Sequence, residues 1–109
     1  MAHSIKTIIK RSVFVMVRNE GKTIRGKNFN VQHLKKSESL EKIQVGYTAT
    51  KKLGNAVKRN RAKRIMRELA RKVITKYGKK NSFYVLIAKS SIFDTSFESQ
   101  KNELKDLIS

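Results

Sequence analysis

The sequence predicts an α+β domain, a small sheet with helices packed on it. Three observations carry this. Residues 27–34 (KNFNVQHL) and 43–50 (IQVGYTAT) alternate apolar and polar, the period of a half-buried strand. From about 56 to 77, Ala62, Ile65, Met66, Leu69, Val73 and Tyr77 recur at helical spacing as one apolar stripe. Residues 83–88 (FYVLIA) are a continuous apolar run, which marks a strand covered on both faces, as in a parallel pairing. Strand, long helix and buried strand make a βαβ unit.

The other elements come in chain order. Residues 5–20 (IKTIIKRSVFVMVRNE) leave two readings open. Val13, Phe14, Val15 and Val17 have strand propensity, yet Ile5, Ile9, Val13 and Met16 recur at helical spacing. Gly21 stops whatever precedes it. In the first strand Phe29, Val31 and His33 face one way, and Asn28, Asn30 and Gln32 the other. A polar connector with Glu38 and Glu41 spans 35–42, and the flanking strands are predicted to pair antiparallel. In the second strand Ile43, Val45, Tyr47 and Ala49 oppose Gln44, Gly46, Thr48 and Thr50. The outer faces thus carry amides, hydroxyls and glycine, which can touch a ligand without burying a charge. Gly54 breaks the strand, Asn55 suits a helix N-cap, and Gly78 ends the helix. Thr95-Ser96-Phe97-Glu98 has a capping-box pattern, and Phe97, Leu104, Leu107 and Ile108 fit one face of a final helix. Residues 1–109 are expected to form a single domain with one core.

Charge narrows the function. The chain has 26 basic and 8 acidic residues, a formal charge of +18. Such an excess repels itself and attracts polyanions. No apolar run approaches the ~20 residues that span a bilayer, and the N-terminus lacks a signal-peptide plan, so no membrane role and a cytoplasmic location are expected. With no cysteine and only His3 and His33, no metal site is expected. The eight acids are scattered, so no catalytic residue is assigned.

The stretch KKLGNAVKRNRAKR, residues 51–64, holds seven Lys or Arg and no acid. Between Lys51 and Lys72 Glu68 alone opposes ten cations, so i,i+4 pairing cannot neutralise this face. Cations also crowd the first turns of the helix, where the dipole favours anions, and a bound phosphate would relieve them. Arg59, Arg61, Arg64 and Arg67 offer planar forks suited to phosphate oxygens.

Residues 45–64, VGYTATKKLGNAVKRNRAKR, resemble the signature of the bacterial ribonuclease P protein component. Arg59-Asn60-Arg61 supplies its core, preceded by Lys51-Lys52-Leu53-Gly54-Asn55-Ala56-Val57. Outside this stretch Phe14, Val17, Gly21 and Lys22 resemble the family's first helix and turn, Phe29 its first strand, and Tyr84–Lys89 its last. The resemblance implies an αβββαβα sandwich of the ribosomal protein S5 domain 2-like kind, with a left-handed βαβ crossover where the common rule is right-handed. It also makes residues 10–19 a helix. One departure is Arg18, where the family often carries a second aromatic; a cationic contact replaces a stack there.

The same resemblance implies the protein subunit of an RNA-based endonuclease that removes the 5′ leader of precursor tRNA. The partners are ribonuclease P RNA, one to one, and precursor tRNA. Magnesium acts through the RNA subunit, and the protein itself holds no cofactor. Two surfaces are expected. Lys51, Lys52, Asn55, Lys58, Arg59, Asn60, Arg61, Lys63, Arg64, Arg67 and Arg71 would dock on the large RNA. Phe14, Arg18, Asn30, Gln32 and Thr48 would line a cleft for single-stranded leader, where aromatic platforms in basic grooves serve. Phe29 and Tyr47 are assigned to the core. Glu98, Glu103 and Asp106 are read as keeping the last helix off RNA. The second reading is a ribosomal or chaperone-like RNA-binding protein with no catalytic partner. A DNA-binding helix–turn–helix is disfavoured, because an alternating strand rather than a short helix precedes the basic helix.

Overall fold

A computed structural model describes residues 4–36 and 42–109. His3, Glu38 and Glu41, with most of the expected connector, lie outside the described residues. The chain runs β1 (Ile5–Thr7), α1 (Arg11–Glu20), β2 (Lys22–Ile24), β3 (Phe29–Lys35), β4 (Ile43–Thr48), α2 (Ala56–Leu69), β5 (Ser82–Ala88) and α3 (Phe97–Ile108). From α2 onward this is the predicted order, and α1 to α3 reproduce the αβββαβα sequence of elements. Two short strands are additional to the strands read from periodicity. β1 precedes α1 and pairs parallel to β4, and β2 forms a hairpin with β3. The open stretch 5–20 thus holds both a strand and a helix, divided at Lys10, whose backbone is extended. Because β2 comes first after α1, Phe29 lies on the second strand of the αβββ run rather than the first.

The sheet order is β1-β4-β5-β3-β2. The predicted antiparallel pairing of β3 with β4 is corrected: β5 inserts between them. It runs antiparallel to β3, with Val31 opposite Leu86, and parallel to β4, with Val45 opposite Tyr84. The reason lies in β5 itself. It alone is apolar on both faces, so it is most stable at the centre of the sheet, covered on both sides.

Alternate residues of β5 supply two cores. Tyr84, Leu86 and Ala88 join Phe29, Val31, Ile43 and Val45 beneath α2 and α3, where Met66, Leu69, Ile74 and Leu104 are fully buried. Phe83 and Val85 face α1, packing with Ile8 and Val17 and flanked by Val13, Phe14, Met16, Leu34 and Ile87. The face read as polar is therefore partly covered by α1.

The long helix departs from its predicted stripe at one place. After Leu69 the chain makes a π-helical turn (Ala70–Ile74) before a last turn, Thr75–Tyr77. The wider turn rotates the residues beyond it about the helix axis. Ala70, Val73 and Ile74 all become buried, whereas Tyr77, expected on the stripe, is 46% exposed. Lys105 Nζ covers its ring at 4.6 Å from the centroid.

The C-terminal helix is capped by Ser96 rather than by a reciprocal box. Ser96 Oγ accepts from Ser99 N at 3.1 Å. Glu98 pairs with Lys101 instead of reaching back, and Thr95 is drawn away because its hydroxyl donates to Asn28 Oδ1 at 2.8 Å. Asn28, expected on the outer polar face, is buried in this junction.

Candidate nucleic-acid interface

The strand-to-helix turn is built for a fixed entry into α2. Lys51–Leu53 form a 3-10 turn, and Gly54 adopts φ 130°, a conformation open to glycine alone at low cost. Asn55 then caps the helix: its Oδ1 accepts from Lys58 N at 3.0 Å. Leu53 is buried and anchors the turn. Lys51, Lys52, Asn55, Lys58, Asn60, Arg61, Arg64, Arg67 and Arg71 are exposed along this turn and helix, and Arg59 and Lys63 are half-buried.

These side chains are not equivalent. Arg59 Nη1 donates to Gly54 O at 3.1 Å and so also holds the helix entrance. Arg71 is taken up by Glu68, whose carboxyl is held below its ordinary range by that hydrogen bond. Arg61 and Arg67 lie over aromatic rings, 5.9 Å from the Phe93 centroid and 5.8 Å from that of Tyr47. Among the described residues no acid pairs with any cation from Lys51 to Arg67. Within those residues the cations at the N-terminal half of α2 are left without an ion-pair partner.

A cavity of about 600 Å³ opens between α1 and the sheet. Phe14, Arg18, Gln32 and Thr48 all line it, as expected. Asn30 does not; its Oδ1 accepts from Gly26 N at 3.2 Å and shapes the β2–β3 turn. The cavity carries further residues that the sequence does not assign to it. Arg11 adds a second cation from α1. Tyr47, Ala49 and Thr50 continue the lining, and Lys63 reaches it from α2. The expected place of Tyr47 is the core. Its ring does pack there, and burial pushes its hydroxyl up to about 12 against the opposing effect of Arg67. Its position near the exit of β4, just before the basic turn, is the sequence signal for its place in the lining as well.

Among the described residues no acid lines the cavity. Lys63 joins it to the basic face of α2, so the two surfaces read separately from sequence are continuous. Among the described residues no three His, Cys, Asp or Glu side chains come together as metal ligands.

A mixed five-stranded sheet, a basic helix joining parallel strands and a basic, aromatic-containing cleft define an α+β RNA-binding domain. The chain belongs to the ribonuclease P protein family, whose model matches residues 3–109. It is similar to the ribonuclease P protein component of Ruegeria pomeroyi, 38% identical over 103 residues that span 94% of this chain and 81% of that one. It is also 38% identical over 89 residues to the component of Caulobacter vibrioides, covering 80% of this chain but 59% of the relative's length. Among solved structures it superposes on the RNase P protein of Thermotoga maritima with a TM-score of 0.81 at 25% identity, covering 94% of both chains. The Staphylococcus aureus RNase P protein gives a TM-score of 0.75 at 26% identity, covering 93% of this chain and 90% of that one.

Proposed function

We propose that this chain binds ribonuclease P RNA through the N-terminal face of α2 and holds the 5′ leader of precursor tRNA in the cleft between α1 and the sheet. The observation that carries the reading is that, among the described residues, no acid lines that cleft. Phe14 and Arg18 stand on its α1 side, and Lys63 links it to the unpaired cations at the N-terminal half of α2. Phe14 offers a flat ring to a base, Arg11 and Arg18 meet phosphates, and Gln32 and Thr48 hydrogen-bond to bases or ribose. One RNA and one protein would assemble in the cytoplasm. The protein's part in tRNA processing is then positional: it keeps the leader in reach of the RNA's reaction centre. Two-metal phosphoryl chemistry needs clustered oxygens. The described residues of this chain bring no such cluster together, and RNA phosphates can supply one to magnesium.

The test compares precursor and mature tRNA. Wild type, Phe14→Leu and Arg18→Ala are each assembled with the same ribonuclease P RNA, and both affinities are measured. Assembly and mature-tRNA affinity should be kept. The extra affinity for precursor should fall, since one base–aromatic stack is worth ~1–3 kcal/mol. An unchanged precursor-to-mature ratio in both variants would remove the leader from this cleft. The ribosomal or chaperone-like alternative predicts no stimulation of ribonuclease P RNA at low magnesium.

A further inference from the structure

A second recess, about 290 Å³, lies beside the entrance of α2 and away from the leader cleft. Leu53, Lys58, Arg61, Ser90, Phe93 and Asp94 line it. It joins two parts of the chain: the start of the basic helix and the 3-10 turn after β5 (Ser90–Phe93). Three chemistries meet there. Lys58 and Arg61 are exposed cations, Phe93 presents a half-buried ring, and Asp94 is an exposed carboxylate.

Asp94 is the informative member. It shares the recess with two cations yet forms no ion pair with either, and its carboxylate accepts no hydrogen bond from the described residues. The turn is closed by backbone alone, with Asp94 N donating to Ser91 O at 3.0 Å. The side chain is therefore not needed for the local fold. Arg61 lies 5.9 Å from the Phe93 centroid, the outer limit of an attractive cation–ring contact, so a base that displaces it gives up little.

We propose that this recess binds one unstacked guanine nucleotide of the RNA partner, with the base on Phe93, the phosphate at Lys58 and Arg61, and the Asp94 carboxylate on the base edge. The inference rests on the RNA-binding reading of α2 and names what one part of that face recognises. Single-stranded RNA is read by stacking an unpaired base on an aromatic ring and hydrogen-bonding its Watson–Crick edge. A carboxylate has two acceptor oxygens and no donor. Guanine alone among the four bases offers two adjacent donors on that edge, the ring N–H and the amino group. Adenine and cytosine each place an acceptor beside their amino group, which would face a carboxylate oxygen.

The test is a nuclear magnetic resonance titration of the full chain with 5′-GMP, 5′-AMP and inorganic phosphate. GMP should shift the Phe93 and Asp94 signals and bind at least about fivefold more tightly than AMP, the low end for a bidentate base contact. Asp94→Asn should abolish that preference and keep the phosphate response of Lys58 and Arg61. Phe93→Leu, which preserves apolar packing, should weaken both nucleotides. Equal affinity for GMP and AMP overturns the proposal. So does a Phe93 response to phosphate as large as that to GMP, or a preference that survives Asp94→Asn. Binding of ribonuclease P RNA, measured separately, tests the broader function, so the two readings fail independently.

Discussion

The Phe14 ring rests on Gly46: a Cβ at that glycine would lie 2.5 Å from Phe14 Cε1 and 2.8 Å from Cζ. The absence of a side chain at Gly46 of β4 is what lets α1 set its aromatic residue down on the sheet at the wall of the cleft between them. Gly46→Ala should therefore push the ring outward. Overpacking of this kind costs ~1–3 kcal/mol, which a urea melt resolves. The same variant should lower the precursor-to-mature affinity ratio with its cationic face intact. Unchanged melting together with an unchanged ratio would show that the contact controls neither property.

Arg59 and Arg61 stand two residues apart in one motif but carry different loads. Arg59 reaches back to Gly54 O, whereas Arg61 stands exposed over Phe93. Loss of the first should weaken binding of ribonuclease P RNA and also cost ~0.5–1.5 kcal/mol of stability, the net worth of a hydrogen bond. Loss of the second should weaken RNA binding alone. Paired melts and salt-dependent binding curves check this. Each lost phosphate contact should reduce the slope of log K against log salt by ~0.7–0.9. Equal melting of the two single variants would refute the distinction.

Glu103, which the sequence presents as an acid keeping α3 away from RNA, has a structural task. Its carboxylate clamps the start of β3: Oε2 accepts from Lys27 N and Asn28 N, and Oε1 accepts from Asn28 Nδ2 at 2.7 Å. Asn28 is 1% exposed, so removing the acceptor strands a buried amide donor. Glu103→Ala should destabilise by ~1–3 kcal/mol with RNA affinity retained well below the melting temperature. A variant as stable as wild type, but binding RNA more tightly, would restore the electrostatic reading.

Periodicity locates β3, β4, α2, β5 and α3 because each has an apolar pattern at its own spacing. It does not give the pairing of β3 and β4, because alternation reports a strand's faces and not its neighbours. The two-sided apolarity of β5 decides that order, and only once the strands compete for the centre of one sheet. The basic face is legible because charge excess needs no tertiary information. The cleft is partly so: Phe14, Arg18, Gln32 and Thr48 line it, while Asn30 is lost to a turn contact four residues away. Tyr47 and Lys63 are hidden as cleft residues because the cavity bends round the end of β4 toward α2, a feature of assembly rather than of any one element. The π turn is likewise silent in the sequence, and it displaces Tyr77 from the stripe.

His33 supplies the pH dependence. Its ring stacks on Tyr84 with centroids 4.5 Å apart, and its Nε2 meets Ser82 Oγ at 3.0 Å. Burial holds its pKa below the ordinary 6.5, and Lys79, Lys22 and Lys35 lower it further. Well above pH 6.5 the imidazole is neutral in both folded and unfolded chains and contributes no slope. As pH falls through 6.5 the unfolded chain binds the proton first, so folding loses stability. The loss continues until pH passes the depressed folded value, below which both states are protonated and the contribution is constant. Urea melts at steps from about pH 7.5 to about pH 5, the range in which a histidine changes charge, should show this decline. His33→Gln should flatten the part of it due to this residue. A proton resonance titration of the folded chain gives the second check: the imidazole should titrate below 6.5. A midpoint above that value, or a variant whose stability declines with acid as steeply as wild type, would mean that burial and the lysines around His33 do not govern its charge.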